Sequence, residues 1–301
     1  MKSAVALGFF DGVHLGHRAI LKRTVSYAMQ NGLSACAFTF AAASLPVKQG
    51  AKLHYIYPDA QKLELLEQCG IQSVYSPDFF RLRDLDGERF CQHVLQEQFQ
   101  AKTVFCGKDF RFGARAAWNF QDLCQFGEIL GFTVEAIEPI CYDDSVISST
   151  RIRQALLKGD VSLAAKLLGE SYAVCGNVIH GAAFGHTRAV PTINLAFAPG
   201  QLIPKYGVYV SLTHTKQGTY PSVTDIGVKP TVSDGGKVGA ETFLLDFSGN
   251  LYAQPCKVEL LAFLREERCF ADADALYAQI HLDTQQARAY FERNRDTQKI
   301  L

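Results

Sequence analysis

The stretch Gly8-Phe-Phe-Asp-Gly-Val-His-Leu-Gly-His17 places glycines, an acid and two histidines directly behind the apolar run Ala4–Leu7. A strand that runs into such a loop and then into a helix presents backbone N–H groups and a helix N-terminus together, which is where a phosphate chain is cradled. His14 and His17 are three residues apart, so on the first turn of that helix they share a face. Two imidazoles there can donate to the oxygens of a triphosphate while charge builds on the bridging oxygen during attack at phosphorus. A zinc site fits less well, because the chain has no HExxH and the pair brings no further ligands with it. Capping or surface histidines are the plain alternative for a lone pair; the joint spacing with glycines behind a strand favours the phosphate reading.

The elements that must position this loop are legible as alternating patterns over residues 1–140. Ser3–Leu7 reads as a strand, His17–Gln30 as an amphipathic helix and Leu33–Phe40 as a strand. Asp59–Gln68 then reads as a helix, Ser73–Tyr75 as a short strand, Leu85–Phe99 as a helix, Lys102–Cys106 as a strand, Gln121–Leu130 as a helix and Phe132–Ile137 as a strand. Strands separated by helices predict right-handed crossovers and a parallel sheet covered on both faces, with ligands at the carboxyl ends of its strands. From about Tyr172 the texture changes. Ala173–Ile179, Gly207–His214, Glu241–Phe247 and Val258–Phe263 read as strands without helices between them, Asp246–Asn250 as a hairpin connection, and Asp272–Gln279 and Thr284–Arg293 as helices, the second capped by Asp283. The expected fold is α/β plus all-β: a Rossmann-like parallel sheet, then a small antiparallel β-barrel with terminal helices. The join is expected near Leu168–Ser171, after a helix that starts at Ser148–Ser149.

Thirty basic residues balance thirty acidic ones, so no global field favours nucleic acid or an anionic membrane. No apolar stretch approaches the roughly 18–20 residues of a membrane span, and Met1-Lys2-Ser3 leads straight into a strand, so a cytoplasmic protein is expected. The nine cysteines include no CxxC pair and read as reduced thiols without a functional role.

Gly8–His17 resembles the GxFDGxHxGH form of the HxGH signature of nucleotidyltransferases, and Ile147-Ser-Ser-Thr-Arg-Ile-Arg153 resembles their ISSTxIR signature. Gly107-Lys-Asp-Phe-Arg-Phe-Gly113 is similar to the GxDFRFG segment of the flavin-specific branch. The chain thereby resembles the bacterial FAD synthetases, in which a riboflavin kinase is joined to an FMN adenylyltransferase. The resemblance continues through Gly176–Gly181, Pro191–Asn194, Asp225–Thr231, Glu241–Phe247 and Leu264–Phe270, and so spans essentially the whole chain. It implies an adenylyltransferase domain over 1–170 and a riboflavin kinase domain over 171–301. It also implies ATP, riboflavin and FMN as substrates, FAD as product, Mg²⁺ as cofactor, small molecules as the only partners, and a monomer or weak homo-oligomer.

By the same resemblance, Gly8, Phe10, Asp11, Gly12, Ser148, Ser149, Thr150 and Arg153 would bind the nucleotide, with His14 and His17 at the transferred phosphate. Ser148–Thr150 also form a good N-cap cluster, and the two arginines beside them supply the positive charge that a leaving pyrophosphate needs. Asp109, Arg265 and Phe270 would lie near the flavin. Glu241 would accept the proton of the ribityl hydroxyl. Gly181 and Arg188 would face the kinase phosphates, and the Thr192 hydroxyl and Asn194 amide oxygen would be hard neutral ligands to Mg²⁺.

The chain departs from the family pattern in three places. Thr39-Phe-Ala-Ala-Ala-Ser-Leu-Pro46 lacks the Pro-His-Pro that usually follows Thr-Phe; Gly185–Asn194 carries His186 and Ala189 where arginine and glycine are usual; and Leu168–Tyr172 has Glu170 for an arginine. Two alternatives follow: a paralogue that has lost one or both activities, or a nucleotidyltransferase for another phosphorylated substrate. The second half argues against the latter, which would have no use for a kinase-like barrel.

Overall fold

The computed structural model describes residues 1–44, 54–179, 192–228 and 238–294. By contacts these fall into two units, Met1–Arg151 with Gly200–Leu202, and Ile152–Pro199 with Ile203–Leu301.

In the first unit β1 (Ser3–Leu7) is buried at every residue, as the central strand of a sheet covered on both faces must be. The chain continues through α1 (Leu15–Asn31), β2 (Ser34–Phe38), α2 (Asp59–Gln68), β3 (Ser73–Tyr75), α3 (Phe79–Leu82), α4 (Gly87–Phe90), β4 (Ala101–Gly107), α5 (Phe120–Leu130) and β5 (Thr133–Ile137). The hairpin β6 (Cys141–Tyr142) and β7 (Ser145–Val146) follows, before α6 (Ser149–Lys158). The five strands pair in the order β3-β2-β1-β4-β5, all parallel. The chain therefore runs outward from β1 to β3 and restarts on the other side of β1 with β4. That reversal makes the carboxyl ends of β1 and β4 the topological switch point, the edge at which open parallel sheets bind their ligands. Gly8–His17 leaves β1 there and Gly107–Gly113 leaves β4. The helix expected over 85–99 is present, but from Cys91 to Gln98 it widens to i→i+5 hydrogen bonding.

The second unit holds most of α6, then α7 (Val161–Leu168), β8 (Ala173–Asn177), β9 (Thr192–Ala196), β10 (Gly207–Thr215), β11 (Gly218–Val228), β12 (Val238–Leu244), β13 (Pro255–Arg265) and α8 (Ala273–Arg293). Six antiparallel strands pair in the order β8-β13-β10-β11-β12-β9, and a bridge from Ile179 to Asn194 nearly closes them into a barrel. Two expectations need correction. Asp246–Asn250 does not make a hairpin, because β12 and β13 lie apart in the sheet and β13 pairs with β10 and β8. The two terminal helices are one continuous α8, and Asp283 is no cap: it is buried mid-helix and binds Arg265. One face of the barrel sheet buries hydroxyls where aliphatic side chains would be expected. Thr213, Ser222, Ser211, Thr224 and Thr242, all fully buried, form a chain of hydrogen bonds of 2.7–2.9 Å that satisfies each hydroxyl.

All nine cysteines are free. Burial pushes the Cys91 and Cys106 thiols up to about 12, far from any reactive thiolate.

Candidate functional site

The loop after β1 is held in a strained shape. The fully buried Phe10 and Val13 take left-handed backbone angles, φ 51° and 41°, beside Gly12 at φ 80°. Side chains other than glycine keep such angles only where their surroundings over-determine them. Asp11, 2% exposed, accepts the Ile56 N–H on Oδ1 at 2.8 Å, and its carbonyl accepts the Ser149 hydroxyl at 2.9 Å. Thr39 Oγ1 donates to the Phe9 carbonyl at 2.7 Å, and the Gly8 N–H donates to the Phe38 carbonyl at 3.2 Å.

His14 caps α1 instead of standing in its first turn. Its Nδ1 accepts the His17 N–H at 3.3 Å, so the neutral ring carries its proton on Nε2. The two imidazoles still share a face: they stack with centroids 3.6 Å apart and planes 18° from parallel, and Phe10 meets His17 edge-on at 5.3 Å. Gly16 permits the stack, because a Cβ there would lie 3.2 Å from the His14 ring. Burial, and secondarily the neighbouring His14, hold the His17 pKa well below the usual histidine value. His17 Nδ1 is buried and has no hydrogen-bond partner among the described residues.

The second signature reaches this loop through Ser149, which opens α6 and donates to Asp11. Ser148 Oγ accepts the Arg151 N–H at 3.3 Å, as an N-cap does, and Thr150 is exposed. Of the two arginines, Arg151 is used internally: its Nη1 donates to the carbonyls of Tyr142 and Ser145 at 2.8 and 3.0 Å, fixing the β6–β7 hairpin. Arg153 lies half-buried two positions further along α6. Asp109 is exposed on a turn after β4 closed by the Phe110 N–H on the Gly107 carbonyl at 3.1 Å.

In the barrel, Asn194, Glu241 and Asp225 stand in one cross-strand row over β9, β12 and β11, where directly paired residues point to the same face. Thr192 Oγ1 donates to Glu241 Oε1 at 3.0 Å. Thr192, Asn194 and Glu241 thus lie together on one face of the barrel sheet. Arg265 is held by Asp283, with Nη2 to Oδ2 at 2.7 Å and Nε to Oδ1 at 3.0 Å, and its Cζ lies 6.0 Å from the Phe270 ring. Gly181 and Arg188 lie outside the described residues. Sequence reasoning missed Asp225, Thr39, Asp59 and Lys62. Lys62 lies three residues after Asp59 on α2, and its side chain is 2% exposed.

Comparison with known proteins agrees with both halves. The FAD synthetase family model matches residues 1–151 and the riboflavin kinase family model matches residues 168–291. A bifunctional riboflavin kinase/FMN adenylyltransferase of Pseudomonas fluorescens is 34% identical over 94% of this chain and 91% of its own length. One from Listeria monocytogenes is 31% identical over 98% and 95%. A solved structure from Streptococcus pneumoniae, described as a macrolide-efflux protein, superposes with a TM-score of 0.83 at 28% identity, covering 95% of this chain and 94% of that one. Among the described residues no helix is long and apolar enough to cross a membrane. With both family models matched in order and relatives similar over nearly its full length, the chain belongs to the bifunctional riboflavin kinase/FMN adenylyltransferase family.

Proposed function

We propose that this chain makes FAD in two ATP-dependent steps, phosphorylating riboflavin to FMN in residues 171–301 and adenylylating FMN in residues 1–170. The observation that carries the second step is the stacked His14–His17 pair at the β1/β4 switch point, with one buried imidazole nitrogen unsatisfied and Ser149 bonded to the same loop. A phosphate oxygen of FMN attacks the α-phosphorus of ATP, the bond to the bridging oxygen breaks, and pyrophosphate leaves. No covalent intermediate with the protein is needed, so positioning and electrostatics supply the catalysis. The loop N–H groups, the N-terminus of α1, the His14 Nε2–H and neutral His17 stabilise the charge that develops. Gly8, Phe10, Asp11 and Gly12 shape this cradle; Ser148, Ser149, Thr150 and Arg153 receive the leaving phosphates, and Asp109 lies toward the flavin.

In the kinase half, Glu241 takes the proton of the ribityl 5′-hydroxyl as that oxygen attacks the γ-phosphorus and ADP leaves. Thr192, while donating to Glu241, keeps oxygen lone pairs, and Asn194 adds an amide oxygen. Such hard donors fit Mg²⁺, which retains waters and phosphate oxygens and would neutralise phosphate charge when bound. Gly181 and Arg188 are assigned to the ATP phosphates, and Arg265 and Phe270 to the flavin. The chain is read as a cytoplasmic enzyme acting on small molecules.

Incubating the purified protein with riboflavin, ATP and Mg²⁺ and separating the products should yield FMN and then FAD. FAD from supplied FMN without FMN from riboflavin would mean that the half carrying His186 and Ala189 has lost kinase activity.

A further inference from the structure

We infer that Lys62 is a positioning residue of the adenylyl-transfer site, an internal cation that fixes the end of β2 against the phosphate-cradling loop. Its side chain is 2% exposed. Nζ donates to the Phe40 carbonyl at 2.7 Å, pairs with Asp59 Oδ1 at 3.1 Å, and lies 5.1 Å from the ring centroid of Phe9. Asp59 Oδ1 also accepts the Ala42 N–H at 2.8 Å, so the pair grips both the carbonyl and the amide side of the segment that leaves β2. That segment is tied to the cradle, because Thr39 Oγ1 donates to the carbonyl of Phe9. Burial lowers the Lys62 pKa, while Asp59 and, less strongly, Asp11 favour the charged form.

A buried ammonium is costly unless it is paired, and a lysine on a surface helix would satisfy its charge more cheaply in water. What this one achieves follows from the sequence beside it. Ala41 and Ala42 offer only methyl groups, and the one side-chain bond within the described part of the segment is from the Ser44 hydroxyl to the Ala41 carbonyl at 2.7 Å. The backbone there is also held from outside, by Lys62 and Asp59 of α2 and by the Pro77 carbonyl, which accepts the Ala41 N–H at 3.2 Å. The contact chain from Lys62 through Phe40 and Thr39 to Phe9 ends next to Phe10, whose ring packs on His17. Loosening it lets the cradle drift, and displacements near 1 Å at a reacting centre can cost about 10²-fold in rate.

The inference rests on the adenylyltransferase reading of residues 1–170, and its test keeps the two apart. The full chain and its Lys62→Met and Lys62→Gln variants are each assayed for FAD formation from FMN and ATP, and for FMN formation from riboflavin and ATP. Methionine fits the buried space without a donor; glutamine restores a donor for the Phe40 carbonyl without the charge. K62M should lower kcat for FAD formation by at least about tenfold with KM for FMN changed by less than about threefold, K62Q should recover part of the loss, and the kinase reaction on the same chain should stay within about twofold. Because the first unit has a core of its own, its unfolding would also spare the kinase, so circular dichroism and the thermal transition of K62M are compared with wild type: positioning leaves the variant folded at the assay temperature while kcat falls, and a first unit already unfolded there would overturn the inference. Equal FAD rates for wild type and both variants would overturn the inference and leave the adenylyltransferase reading standing; so would a loss shared equally by the two reactions. A wild-type chain that makes no FAD would overturn the reading itself, and the inference with it.

Discussion

His17 carries two consequences that can be measured separately. Its pKa is lowered first by burial and then by His14, so the folded state holds it neutral while the unfolded chain protonates it near the usual value of about 6.5. The unfolded state therefore binds more protons between the lowered folded pKa and about 6.5, so stability is fully present above that window and is lost as pH falls through it. His17→Ala should flatten the fall in melting temperature between about pH 6.5 and pH 5 that the wild type shows. It should also reduce FAD formation from FMN by about 10²–10³-fold, the scale of removing one donor from a preorganised site. A wild-type melting temperature that does not fall more steeply than that of H17A would place His17 in water. At this scale the sequence spacing located the pair but not its geometry. Three residues of separation predicted a shared face, while the cap that makes His14 an acceptor at Nδ1 depends on where the loop turns into α1, two residues earlier than a helix pattern reveals. Lys62 was illegible for a stronger reason: its burial is decided by Phe9 and Phe40, distant in sequence.

Helix α8 shows how one residue decides an element. Asp283 looks like a helix start because an aspartate oxygen readily accepts a first-turn backbone N–H, yet it sits in the middle of a 21-residue helix with its side chain 4% exposed. The Arg265 fork at the end of β13 supplies the charge that makes this burial tolerable, with Gln279 Nε2 donating to the same carboxylate at 2.8 Å. Further along the same face, at i+4, i+7 and i+8 from Asp283, α8 brings Ala287, Tyr290 and Phe291 onto Val210, Val223 and Phe243 of the barrel. Asp283→Ala leaves the guanidinium without its carboxylate, and loss of one partner of a buried pair costs about 3–5 kcal/mol; Arg265 is 15% exposed, so the lower end is expected. Thermal or denaturant unfolding should show this loss in the barrel's transition, and a loss under about 1 kcal/mol would mean the pair is solvated. The parallel-sheet elements were readable because each strand is an apolar run between helical patterns. Gly218–Val228 was not, because its inward side chains are Ser222 and Thr224: hydroxyls that satisfy one another inside a barrel look polar in a sequence, and only pairing with Ser211 and Thr242 makes them core.

Each of the two units has a hydrophobic core of its own, one around Val5, Leu95, Val104 and Leu123, the other around Val210, Leu245 and Ala287. The groups proposed to act in the two reactions divide the same way, with His14 and His17 in the first unit and Thr192, Asn194 and Glu241 in the second. In the proposed sequence FMN is the product of one reaction and the substrate of the other, and we expect it to exchange through solution. Two full-length variants, each disabled at one site, should therefore complement each other. H17A should convert riboflavin to FMN and stop there; Glu241→Gln, which keeps the shape of the side chain but cannot take a proton, should make FAD only from supplied FMN. Mixed with ATP and Mg²⁺, the two should carry riboflavin to FAD, after a lag set by the FMN concentration that H17A must first build up. A mixture that accumulates FMN without FAD, while each variant alone retains its remaining reaction, would mean that FMN does not exchange through solution and that the two sites depend on each other within one chain.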